Sequence, residues 1–310
     1  MQIMFVRWRR DFGDQITRHD QWLAFVEGSK KMEKTRFVTV DIEKCNGCGI
    51  CIRRFEGYCI SEEAGMPVID YALCNVCQKC VAICPSRAFL VNNTEPERIE
   101  ERKPLEPEDL RRLLSKRRST KVFKDEQLSK STIQAVVSVA KYAPNQHKNI
   151  DAVVTTKTQM LDKIDRSALR FYKRIYAALF SVKVLTWLFR LFSSDLYTVK
   201  RKMEYDLFFR KKIIKPGTQA LVVLVGNTRA SVTESSAQYL LATMTIFAES
   251  VGVGSCLMDS LKIVMNSNRG LRKEISIDRR EKILGVLALG YSAERILNIP
   301  SGYELNIRWV

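Results

Sequence analysis

The sequence predicts a two-domain α+β chain: a small cysteine-dense module followed by a larger domain of mixed helices and strands. Three observations carry this. Eight of the nine cysteines fall between residues 45 and 84 of a 310-residue chain, too short a stretch to be more than one domain. After Val91 the chain turns polar and is marked by Pro96, Pro104 and Pro107, which reads as a linker. Beyond it, apolar residues recur at helical spacing in some segments and gather into short strand-like runs in others. The expected organisation is an N-terminal extension over 1–36, the cysteine module over 37–95, the linker over 96–107 and the larger domain over 108–310.

The cysteines are ordered as Cys45-x2-Cys48-x2-Cys51-x7-Cys59 and Cys74-x2-Cys77-x2-Cys80-x3-Cys84-Pro85. The second run is similar to the bacterial ferredoxin signature, in which three closely spaced thiolates hold one [4Fe–4S] cluster and the fourth reaches across to another. On that pattern Cys45, Cys48, Cys51 and Cys84 hold one cluster, and Cys74, Cys77, Cys80 and Cys59 the other. The two runs are also copies of one another. Val40-Asp41-Ile42-Glu43-Lys44-Cys45-Asn46 is echoed by Ile69-Asp70-Tyr71-Ala72-Leu73-Cys74-Asn75, a strand entering a ligand loop each time. A pair of zinc knots is the competing reading, although zinc needs only two ligands per loop and has no use for a third. The first run departs from the pattern in the length of the Cys51–Cys59 interval and in Ile60, which stands where the proline is expected.

Only Cys256 lies outside this block, which argues against a secreted disulfide scaffold and for a reducing compartment. Trp8-Arg9-Arg10-Asp11-Phe12 glances at a twin-arginine signal, but no apolar stretch follows it, so a cytoplasmic location is expected. Met32 is an alternative start, which would make residues 1–31 peripheral to the chemistry. The net charge of +17 is uneven. Residues 37–100 hold 6 basic and 9 acidic residues, whereas 101–310 hold 37 and 20, and 166–215 alone hold 13 and 3. No nucleic-acid-binding motif accompanies this block, so nucleic acid is not an expected partner. A basic domain attached to an acidic module suits acidic electron carriers, anionic cofactors or a membrane surface.

In the larger domain a helix is expected from Glu108 to Lys116, ending in Lys116-Arg117-Arg118-Ser119-Thr120-Lys121-Val122-Phe123. Cations, a hydroxyl and free backbone amides after a helix suit a phosphate dianion, although such a cluster is often only a solvated face. Ser129 opens an amphipathic helix through Ile133, Val136, Val137 and Ala140 that stops at Ala143-Pro144. Asp151 to Thr156 reads as a strand.

From here the chain resembles the FMN-dependent nitroreductase family, in its ferredoxin-fused branch. The family's Arg-Arg-Ser-x-Arg/Lys-x-Phe phosphate motif matches at Arg117, Arg118, Ser119, Lys121 and Phe123. Its helix ending in Ala-Pro-Ser matches at Ala143, Pro144 and, with asparagine for serine, Asn145. Gln219 to Gly226 is similar to the central strand, Glu234 to Gly252 to the long core helix, Gly252-Val253-Gly254-Ser255-Cys256 to Gly-Leu-Gly-Thr-Cys, and Leu284 to Tyr291 to the late strand and turn. The resemblance implies a mostly antiparallel sheet flanked by helices, a homodimer built on the helix 236–251, and FMN bound by Arg117, Arg118, Ser119, Lys121, Pro144, Asn145, Asn149, Gly254, Ser255 and Arg295. His147, in the flavin-side loop, is the candidate proton donor to substrate. The loop Gln146 to Asp151 departs from the family's usual Gly-x-Asn-x-Gln-Pro, and of the basic pair after the late turn only Arg295 is present. Cys256 reads as a small buried apolar residue.

The implied activity passes electrons from reduced ferredoxin or another low-potential donor, with NAD(P)H as a further candidate, through two [4Fe–4S] clusters to FMN and on to a small electrophile such as a nitroaromatic or quinone. The alternatives are a non-catalytic or membrane-associated electron-transfer protein, and a specialised reductase or dehalogenase on the same fold. Ile175 to Phe192 is apolar apart from Lys183 and Arg190. It reads either as buried helices over the active site or as an interfacial segment that places 170–215 against a membrane.

Overall fold

The computed structural model describes residues 37–55, 58–99, 104–144, 150–180, 196–226, 233–278, 280–299 and 305–309. Of the residues singled out above, Asn145, His147, Asn149, Lys183, Arg190 and the N-terminal extension lie outside these. The chain divides into two compact units between Ile99 and Glu100.

In the first unit β1 (Val38–Val40) pairs antiparallel with β4 (Phe89–Val91), and β2 (Ile60–Glu63) with β3 (Met66–Ile69). The β2–β3 turn is Ala64-Gly65, with both residues at positive φ, as a tight two-residue hairpin requires. Val38, Ile60, Ile69, Val81 and Phe89 form its small core. Two short helices, α1 (Ile50–Phe55) and α2 (Lys79–Ile83), each begin inside a cysteine loop.

The second unit contains a four-stranded antiparallel sheet in the order β5 (Ile150–Thr155), β6 (Ala220–Gly226), β8 (Lys282–Gly290), β7 (Gly254–Leu257). Every residue of β6 is buried, because helices cover both faces and leave no polar side to alternate with. One face (Leu221, Val223, Val225, Val286, Ala288) packs against α5 (Thr158–Phe180) and α8 (Asp259–Ser267). The other (Ala220, Val222, Leu224, Leu287, Leu289) packs against α4 (Lys130–Ser138) and α7 (Thr233–Ser250). Val225 pairs with Ile283 while Leu224 pairs with Gly285, so Leu284 is an extra residue and the in–out alternation of β8 reverses there.

Helix α3 (Pro107–Lys116) starts with proline in its first turn, where the missing N–H costs nothing. Ser129 caps α4 by accepting from Thr132 N–H at 3.0 Å. The segment read as one helix up to Ala143 is α-helical only to Ser138 and tightens into a 3-10 turn over Val139–Tyr142 before Pro144. Sequence periodicity missed α5, a 23-residue helix that runs through the start of the apolar segment to Phe180. After α6 (Leu196–Glu204) comes a π-helical turn, Tyr205–Arg210, ending at Lys211 in the left-handed region. Helix α9 (Arg269–Glu274) completes the unit before β8. No described helix is long and apolar enough to cross a membrane.

Gly217 closes the turn that leads into β6. Its φ is +72°, and a Cβ there would overlap the carbonyl oxygen of Phe123. Gly217→Ala therefore combines left-handed strain with a backbone clash, and should destabilise the unit by about 2–4 kcal/mol in a urea melt.

Candidate functional sites

The two cysteine loops share one backbone. In the first, Gly47 and Gly49 have φ of 65° and 67°; at the equivalent places in the second, Val76 and Gln78 have φ of 60° and 61°. A β-branched residue in the left-handed region is a conformational outlier, so this loop shape is held against the local preference of its own side chains. Asn46 and Asn75 play matching parts, each side-chain oxygen accepting the N–H of the middle cysteine, Cys48 at 3.3 Å and Cys77 at 3.2 Å. The duplication read in the sequence is thus a duplication of conformation.

The thiols fall into two sets. Burial pushes the Cys51 thiol up, and the nearby Cys84 and Cys45 push it further. Burial likewise raises Cys59, whose neighbours are Cys74 and Cys77. Cys80 is pushed up to about 12 by burial, with Cys77, Cys74 and Cys59 contributing. Cys84 differs. Burial again opposes its charge, but the Ser86 hydroxyl and backbone N–H groups, including Ala88 N at 3.3 Å, outweigh it and bring the thiol below the ordinary range. The neighbours run across the two motifs, Cys84 with the first and Cys59 with the second. Among the described residues no three His, Cys, Asp or Glu side chains converge as ligands of a single ion.

In the second unit residues 117–124 cross the ends of the sheet, with a bend at Lys121-Val122 between bridges at Ser119 and Phe123. Ser119 bridges Ser255, with Thr120 N–H donating to Ser255 O at 2.9 Å. Phe123 N–H donates to Pro216 O, and Lys124 N–H to Tyr291 O. Two glycines permit this close seating. A Cβ on Gly254 would stand 2.6 Å from Thr120 Oγ1, and one on Gly290 would stand 2.8 Å from the Phe123 ring. Arg118 lines a cavity of about 540 Å³ with Lys116, Lys124, Gly254 and Arg295, while Lys121, at the bend, lines a separate cavity of about 450 Å³ with Tyr172, Lys215, Cys256 and Ser260. Arg117 is the C-cap of α3, its carbonyl accepting Arg118 Nη1 at 2.7 Å. Ser119 is exposed and Ser255 buried; Pro144 is exposed at the end of its turn.

Lys215 went unnoticed in the sequence. It is half-buried in the Lys121 cavity, and burial holds its ammonium below the usual lysine range. The positive charge of Arg210 pushes the same way, Asp206 and Cys256 oppose it, and Lys121 adds the smallest push downward. Cations gathered against desolvation and mutual repulsion are stabilised by an anion placed among them. The loop that carries Lys215 is anchored from below: buried Asp165 accepts the N–H groups of Ile213 and Ile214, both at 2.7 Å, and Arg210 Nη2 donates to Ile214 O at 2.9 Å. On the opposite wall Tyr172 donates its hydroxyl to Ser260 O at 2.9 Å. The Lys-Pro-Gly turn before an apolar strand could have flagged Lys215, but nothing in the sequence tied Asp165 to it.

An antiparallel sheet between two helical layers, with a basic segment crossing its strand ends, defines an α+β domain with its cavities at the sheet margin. The nitroreductase family model matches residues 114–291, more than half of the chain, and the chain belongs to the nitroreductase family, as an oxidoreductase of that type. Among solved structures it is similar to an FMN-dependent nitroreductase from Clostridium difficile, at 16% identity over 66% of this chain and 100% of that one, with a TM-score of 0.50. A nitroreductase with bound FMN from Bacteroides fragilis is similar at 15% identity over 64% and 99%, with a TM-score of 0.46. An iodotyrosine deiodinase bound to FMN and 3-iodo-L-tyrosine is similar at 16% identity over 64% and 98%, with a TM-score of 0.45. At these identities the likeness speaks for the fold alone. A search of the curated proteins finds no match.

Proposed function

We propose that this chain is an FMN-dependent oxidoreductase whose N-terminal unit is a ferredoxin-like module, carrying electrons from a low-potential donor through two [4Fe–4S] clusters to the flavin and on to a small electrophile such as a nitroaromatic or quinone. The observation that carries the flavin half is the Lys121–Lys215 cavity. Its volume of about 450 Å³ falls in the range of small-molecule sites, and half-buried Lys215 stands in it with exposed Lys121 and Lys202 against the carboxylates of Asp206 and Asp259. In this reading Lys121 and Lys215 face the negative charge of the cofactor, and the Tyr172–Ser260 bond fixes the opposing wall. Arg118 and Arg295 belong to the neighbouring cavity.

The cluster half rests on the donor set: two groups of thiols on matched, strained loops, with N–H donors turned toward sulfur. Ligands of a [4Fe–4S] cube stand at separate corners around irons and sulfides, so they do not converge on one point as the ligands of a single ion do. When bound, FMN takes up electrons singly and delivers two together as a hydride, and the clusters supply them one at a time. The residues of this chain supply position and charge. A homodimer on the outer face of α7 completes the proposal.

Anaerobic purification with FMN, iron and sulfide quantified is the test, and one FMN and about eight iron per chain are expected. Iron without flavin would leave an electron carrier on an enzyme's fold. Within the same assay, Lys121→Ala with Lys215→Ala should weaken FMN retention by about a hundredfold, as loss of two charge-assisted contacts implies, with iron unchanged. Undiminished FMN in that variant would remove the cofactor from this cavity.

A further inference from the structure

The face of α6 and the π-helical turn that points away from the core carries a second basic surface, separate from the flavin proposal and independent of it. Leu207 is buried and anchors the turn, whereas Tyr205, Phe208 and Phe209 are 58%, 50% and 84% exposed. Two residues along a helix is close to half a turn, so Tyr205 and Phe209 stand opposite Leu207. Their rings stack with centroids 6.0 Å apart and an interplanar angle of 11°, and Phe208 meets Tyr176 edge-on at 5.2 Å. Arg201 lies one four-residue step before Tyr205, and Lys211 and Lys212 follow directly after the turn. All three are exposed, and among the described residues none of them forms an ion pair. Residues 196–215 hold seven basic and two acidic residues, and both acids are engaged, Glu204 with Lys200 at 3.7 Å and Asp206 with Arg210 at 3.3 Å.

We propose that this aromatic and cationic face, Arg201, Tyr205, Phe209, Lys211 and Lys212, docks the protein peripherally on an anionic lipid bilayer. Aromatic rings enter the headgroup boundary while Lys and Arg meet lipid phosphates and carboxylates, so one surface uses both features. An acidic protein partner would use the cations, but would leave a stack of exposed rings without a role. The unpaired charges give the complementarity that singles out anionic over neutral lipid.

The test is co-sedimentation of the full holoprotein with phosphatidylcholine vesicles, with and without phosphatidylserine. Binding is expected only to the phosphatidylserine vesicles, and it should fall steeply between low and high salt. Arg201→Glu, Lys211→Glu and Lys212→Glu together should weaken it on the order of a hundredfold. Tyr205→Ser with Phe209→Ser should weaken it at any salt concentration. All five side chains are exposed, and far-ultraviolet circular dichroism checks that each variant is folded. Absence of vesicle binding by the wild type overturns the proposal, as does binding that neither variant changes. Capture of the wild type by immobilised polyglutamate but not by vesicles assigns the face to an acidic protein. A dimer that dissociates in the Tyr205/Phe209 variant with vesicle binding intact assigns it to a second copy. Either result also overturns the lipid assignment.

Discussion

Asp165→Ala should cost the second unit about 3–5 kcal/mol, seen as a fall on the order of 10 °C in the thermal midpoint of the unit that carries β6. Asp165 sits within α5, 7% exposed, and one carboxylate oxygen accepts both Ile213 N–H and Ile214 N–H at 2.7 Å. Alanine leaves two buried donors with no acceptor, each the partner of a hydrogen bond to a charged group and so worth about 1.5–3 kcal/mol. Because these donors hold the loop immediately before Lys215, the loss is not confined to stability. Lys215 should move, and cofactor retention should fall with the midpoint. Asp165→Asn separates the contributions: its amide oxygen can still accept both bonds, so a cost nearer 1–2 kcal/mol and a better-kept site are expected. A midpoint in Asp165→Ala within a degree or two of wild type would mean that solvent reaches those donors and that the loop is held by Arg210 alone.

This residue also marks where the sequence stops being readable. Elements whose cause is local were legible: the strands entering each cysteine loop, the helix ending at Lys116, expected from Glu108 and found from Pro107, the Ser129 cap, and the uninterrupted apolar runs of β6 and β8. The end of α4 was less so, since the chain after Ser138 tightens into a 3-10 turn over Val139–Tyr142 before Pro144. Helix α5 was read only at its apolar end, although buried Leu161, Ile164 and Ala168 recur at helical spacing in its first half. The basic cluster at 116–121 was visible as chemistry but not as geometry. Arg118 and Lys121 line different cavities, Arg118 before the bridge at Ser119 and Lys121 at the bend after it, and Ser119 is placed by Ser255, a residue distant in sequence. Lys215 and Asp165 join the site only through tertiary contacts, so no local pattern announces them.

Cys59→Ala should remove about half of the iron from the anaerobically purified protein, leaving roughly four of eight. Cys59 follows the longer interval of the first motif, yet its sulfur neighbours are Cys74 and Cys77 of the second, and Cys84 reciprocally neighbours Cys51 of the first. Single substitutions cannot tell this crossed arrangement from one in which each motif serves itself, since either loses one cluster. Double variants can, because two ligands of one cluster fail together whereas ligands of different clusters fail independently. Cys59→Ala with Cys77→Ala should therefore retain half of the iron, as Cys59→Ala alone does. Cys59→Ala with Cys48→Ala should retain almost none. The reverse outcome, half retained with Cys48 and none with Cys77, would place Cys59 with its own motif, and full iron in the single variant would exclude it as a ligand. The crossed result would tie the x7 interval to the fold: α1 and the β2–β3 hairpin flank Cys59, and the extra residues before it carry the chain from the first loop to the second set of thiols.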